Sequence, residues 1–172
     1  MTAIGDVIAV VAVLVGLGVT AWAMLVGLAF ALPGATRRAQ IRIASDATGT
    51  ALTGTLWLLV PTLGVLGINA PHPGLKLVAA ILLAGSLLIA AIGAAGLAAI
   101  VGERISAASG LSTYAGLVKG AAYLVAAMQL PILGWFVGLP LVLVLGLGAG
   151  FPSVLRRGYA GLPPIAVPEE VR

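Results

Sequence analysis

The side chains able to do chemistry are few and far apart. The carboxylates are Asp6, Asp46, Glu103, Glu169 and Glu170, the single histidine is His72, and cysteine is absent. Acid–base or nucleophilic catalysis needs a nucleophile, a base and an orienting group within mutual reach. These carboxylates do not cluster along the sequence, and one histidine supplies no nucleophile–base set. A zinc site has almost nothing to be built from. His72 lies in the segment NAPHPG, where flanking prolines force an extended turn. It reads as a solvated turn residue rather than a haem or chlorophyll ligand. The run GLGAG (Gly146–Gly150) has the outline of a dinucleotide fingerprint, but no strand precedes it and its surroundings are apolar. Those glycines read as packing positions. The expectation is a protein with no enzymatic activity, no metal and no cofactor.

The elements that carry these residues belong to a membrane protein. Of 172 residues, 61% are hydrophobic and only 8% are charged, and the mean hydropathy is +1.20. Soluble domains are about 25% charged, so a soluble chain of this size would have too few charges to cover its surface. The net charge of +4 is read as a topology signal, because basic residues gather on the cytoplasmic side of membrane proteins. It is not read as nucleic-acid binding.

The uncharged runs predict an all-α, polytopic transmembrane helical bundle of about five spans, near 7–33, 51–68, 77–101, 112–130 and 134–153. The count falls to four if 120–153 is one kinked helix. Five spans put Arg37, Arg38, Arg42, Arg104, Arg156, Arg157 and Arg172 on one side and Lys76 on the other, in keeping with the positive-inside tendency. The first run is uncharged from Val7 to Ala35, far longer than a signal-peptide core, and reads as a retained spanning helix. The organisation expected is an N-terminal spanning helix over 1–35, a membrane bundle of two helical hairpins over 36–155, and a cytoplasmic tail over 156–172.

Within the stretch PILGWFVGLPLVLVLGLGAG (Pro131–Gly150), prolines and glycines interrupt an apolar run. An interior proline costs a helix about 3 kcal/mol and a glycine about 1. Pro131 and Gly134 therefore predict a turn or re-entrant break, with Trp135 and Phe136 at interface depth. GTLWLLVPTLG (Gly54–Gly64) and GAAYLVAAMQLPILG (Gly120–Gly134) share an order of glycine, aromatic, leucine and P-x-L-G, which suggests a hairpin repeat of the kind transporters use. The third span carries small residues every four positions: Ser86, Ala90, Ala94, Ala98 and Gly102. Gly134 and Gly138 add a GxxxG pair. Small residues at this spacing let membrane helices approach closely, whether inside the bundle or against a partner. Arg37, Arg38, Arg42, Arg156 and Arg157 are candidate contacts for lipid head groups as well as topology determinants.

The ordered set LPGATRRAQIRI, ALTGTLWLLVPTLG, LGINAP, GERI and LPILGWFVGLPLVLVLGLGAG, from about Pro33 to Phe151, resembles the membrane domain of bacterial polymer-forming, bactofilin-associated cytoskeletal membrane proteins. That resemblance implies a multi-pass protein of the bacterial inner membrane that anchors or organises other components. The alternating strands of a β-helical polymer-forming domain are missing from this sequence, so polymerisation does not carry over. The function expected is a non-catalytic membrane scaffold or accessory subunit of a larger membrane protein complex. Its partners would be membrane lipids and other membrane subunits, or further copies of itself. The alternative is a small channel or carrier built from the two hairpin repeats.

Overall fold

A computed structural model describes residues 2–155. The elements are α1 (Thr2–Ala31), α2 (Pro33–Ser45), α3 (Ala47–Trp57), α4 (Leu59–Ile68), α5 (Pro73–Ser109), α6 (Thr113–Met128), a π-helical turn (Gly134–Gly138) and α7 (Leu139–Leu155). The described residues contain no strand, so the all-α bundle expected from the sequence is what the chain forms. The expected tail over 156–172, with Arg156 and Arg157, lies outside the described residues.

Prolines and caps set these boundaries. Pro33 and Pro73 open α2 and α5, where the missing N–H costs nothing. Asp46 caps α3 by accepting from the Gly49 N–H at 2.8 Å, and Ser112 caps α6 by accepting from Ala115. Gly110 ends α5 with φ +64°, a left-handed stop that favours glycine. Pro61 leaves the Trp57 carbonyl without its donor, and the helix breaks there, between α3 and α4.

Paired contacts give each pass its direction. Gly64 lies against Leu83 and Gly67 against Ala79, so α4 and α5 are antiparallel. Gly102 meets Gly116 and Gly120 meets Ala98, so α5 and α6 are antiparallel. Gly54 meets Val144 and Gly148 meets Thr50, so α3 and α7 are antiparallel. In α1, Leu14 reaches Gln129 and Phe30 reaches Tyr114, which sets α1 antiparallel to α6. The chain therefore traverses the bundle five times, through α1, α3–α4, α5, α6 and α7, and 120–153 is not one kinked helix.

Four segments are long and apolar enough to cross a membrane: Gly5–Ala31, Ala47–Ile68, Pro73–Ser109 and Gly134–Leu155. The sixteen residues of α6 reach only about 24 Å at 1.5 Å per residue, short of a hydrocarbon core of about 30 Å. By itself, α6 is too short to cross, so the turn after it belongs to the same pass. Several of its amides bond locally: Gln129 donates to Val125, Gly134 to Leu130 and Phe136 to Ile132.

The bundle is centred on α5, where residues 90–96 are all buried. Leu25, Ala94, Ala95, Ala98, Ala121, Val125 and Val142 form the main apolar cluster. A smaller one, Ala39, Ile43 and Ala149, ties α2 to α7.

Candidate functional site

The small-residue stripe lies in the middle of the protein rather than on its surface. Ser86, Ala90, Ala94 and Ala98 are at most 6% exposed, and Gly102 is buried with them. A Cβ on Gly146 would come within 2.5 Å of the Ala90 carbonyl oxygen, and one on Gly93 would overlap the Gly146 backbone. On the α6 side a Cβ on Gly120 would sit 2.5 Å from both the Ala98 oxygen and the Gly102 nitrogen. The stripe is therefore the seam along which α5 receives α6 and α7 of its own chain. Gly134 is also buried, folded back on the Met128 carbonyl, whereas a Cβ on Gly138 would make only ordinary contacts, with Leu133 and Met128. A partner would have to dock elsewhere.

The two repeat-like stretches occupy different surroundings. Pro61 lies inside α4 and Pro131 in the turn after α6. Gly54 packs on α7, while Gly120 packs on α5. The shared order of residues does not build two equivalent hairpins.

Two regions at opposite ends of α6 combine exposure with other than plain aliphatic side chains. One is the break between α6 and α7. Ile132 is 76% exposed and Phe136 78%, with Leu130, Leu133, Trp135 and Val137 exposed beside them. The other is the basic end. There α2 lies across α5, with Ala39 and Gln40 against Gly96. Its apolar face, Ala35, Ala39 and Ile43, is buried. Arg38 donates from Nε to the Ser153 carbonyl at 3.0 Å, where it complements the carbonyl end of α7. Arg42 is half-buried and its Nε lacks a partner, while Arg37 is exposed.

Arg37 lines an open cleft of about 360 Å³ between the ends of α1, α2, α5 and α6. Phe30, Thr36, Gln40, Glu103, Thr113, Tyr114 and Leu117 share its walls. The Phe30 and Tyr114 rings lie 5.4 Å apart with a 45° tilt. Sequence reasoning selected Arg37 but missed Phe30, Glu103 and Tyr114. Only the turns after α1 and α5 bring them together, and no local spacing signals that.

His72 is an exposed, extended residue that immediately precedes α5. Among the described residues no group of three His, Cys, Asp or Glu side chains converges. The chain matches no family model, no curated protein and no solved structure.

Proposed function

We propose that this chain is a non-catalytic scaffold or accessory subunit of a larger membrane protein complex. The resemblance to bactofilin-associated membrane domains suggests the inner membrane of a bacterium as its location. The observation that carries this reading is how the chain divides its apolar surface. Glycine and alanine close the interior backbone to backbone along α5. The buried polar side chains are Thr36, Thr50, Ser86 and Ser153, and the last three are bonded to carbonyls nearby in the chain. A channel or carrier needs a polar or hydrated route, and a seam this tight offers poor support for one.

Large side chains are instead displayed outward, and among the described residues Phe136 and Ile132, in the Leu130–Val137 segment, are the most exposed of them. A few aromatic anchors carry much of the binding energy in protein interfaces, and this segment offers Trp135 and Phe136. The docking surface is assigned to this break. Native mass spectrometry of the protein, extracted gently from its own membrane, tests the assignment. A defined mass well above 17.1 kDa that contains other polypeptides is expected, and Phe136→Ala combined with Ile132→Ala should shed them. A bare monomer that conducts solute across liposomes would overturn the proposal.

A further inference from the structure

The cleft at the basic end has chemistry that the scaffold reading does not use. It opens where α1 ends and α6 begins, which in a bilayer is the depth of the head groups. One part of its wall is apolar, with Ala29, Phe30, Pro33, Ala99 and Leu117. The rest carries one cation, Arg37, and one anion, Glu103. Thr36, buried in the floor, has a hydroxyl with no hydrogen-bond partner. Five other threonines of α1, α3 and α4 behave differently. Thr20, Thr50, Thr53, Thr55 and Thr62 each donate to the carbonyl four residues back. Buried hydroxyls rarely go unpaired, and Thr36 is among the residues that line the cleft.

We infer that this cleft holds the head group of a zwitterionic phospholipid, one carrying a phosphate and a cationic amine. Arg37 takes the phosphate, since guanidinium matches its planar pairs of oxygens. Glu103 takes the amine. The Phe30–Tyr114 pair lies beside it, where an aromatic face adds attraction for a cation. The first carbons of the acyl chains run along Phe30 and Leu117. A cleft of about 360 Å³ accommodates a head group but not a whole lipid. Glu103 is what distinguishes this site from a merely basic patch. It repels a purely anionic head group, so the basic residues of α2 do not select acidic lipids here.

The test uses the purified full chain in mild detergent, titrated with phosphatidylethanolamine, phosphatidylcholine and phosphatidylglycerol of identical acyl chains and followed by native mass spectrometry. Both zwitterionic lipids should bind more tightly than the glycerol lipid. Arg37→Gln should weaken them about fivefold, since a basic residue near a head group is worth about 1 kcal/mol. Glu103→Gln should reverse the preference toward phosphatidylglycerol. Arg104→Gln, which removes a neighbouring exposed charge outside the cleft, should change nothing. Equal or tighter binding of phosphatidylglycerol by the unaltered chain would overturn the inference, as would an Arg104→Gln effect as large as that of Arg37→Gln. Soluble glycerophosphoethanolamine, if it bound as tightly as the lipid, would reassign the cleft to a free phosphate ester.

Discussion

Gly148→Ala should destabilise the bundle even though alanine is the better helix former. Gly148 faces α3, where a Cβ would overlap the Thr50 carbonyl oxygen and lie 2.8 Å from the Gly54 nitrogen. Both neighbours are backbone, so no side chain can swing aside; α3 and α7 must move apart. Overpacking costs about 1–3 kcal/mol, and rigid neighbours put this case near the top. Against it stands the helix-propensity gain of about 1 kcal/mol, which leaves a net loss of about 2 kcal/mol. For a chain of this length that lowers the midpoint by about 4–8 °C. The control is Gly85→Ala in α5, where nothing lies within 4 Å of the new methyl and only the propensity gain acts. Thermal unfolding in one detergent should therefore shift in opposite directions for the two variants. Trp57 supplies a local probe, because it stacks on Phe151 across the same α3–α7 interface at 3.8 Å and 9°. Its fluorescence should change in Gly148→Ala and not in Gly85→Ala. Equal midpoints for the two variants would refute the claim that this seam is held by direct backbone approach.

Other perturbations separate the remaining contacts. Ala98→Leu, 1% exposed in the native chain, should lower stability by about 1–3 kcal/mol in the isolated chain, measured without any partner present. Loss of a partner at unchanged stability would instead place the stripe on an outer face. Gln129→Leu removes the bond from Nε2 to the Leu14 carbonyl, 2.5 Å long. Hydrogen bonds between membrane helices average about 0.6 kcal/mol, so global stability should fall little. Disulfide trapping between cysteines placed at Gly18 and Val125 should drop sharply as α1 loosens. Because the chain has no native cysteine, single cysteines can also map its passes. Thiols at Gly74 should react from one face of the membrane, and those at Asp46 and Ser109 from the other.

Much of the fold could be read from the sequence because hydrocarbon length is a coarse and demanding requirement. The spans near 7–33 and 134–153 end within two residues of the apolar segments Gly5–Ala31 and Gly134–Leu155. The third was placed too short, at 77–101, because Glu103 and Arg104 end the apolar run. Polarity does not end a helix, and α5 continues to Ser109, where Gly110 stops it. The amphipathic helix α2 was not read as an element of its own, although Ala35, Ala39 and Ile43 recur at four-residue spacing. The stripe on α5 was legible as a packing face, but composition cannot tell an internal seam from a surface. That depends on which helices return to cover it. The cleft was not legible at all: Phe30, Arg37, Glu103 and Tyr114 are joined by chain reversals, not by any periodicity.

The prolines explain why the break between α6 and α7 displays its aromatics. A proline removes the N–H that would serve the carbonyl four residues earlier. For Pro131 that carbonyl is Ala127, and α6 stops at Met128. For Pro140 it is Phe136, in the middle of the π-helical turn, which is closed by Leu139 donating to Gly134 five residues back. A π turn widens the backbone and shifts the side chains relative to an α-helix. Gly134 can then fold against the end of α6, where any Cβ would overlap the Met128 carbonyl. The small residue turns inward and Trp135 and Phe136 turn outward. The same residues that weaken a helix in water here shorten one pass, reverse the chain and fix an aromatic surface. Restoring a regular helix with Pro140→Ala should therefore rotate Trp135 and Phe136 without unfolding the bundle. That makes Pro140 the position at which docking separates from folding.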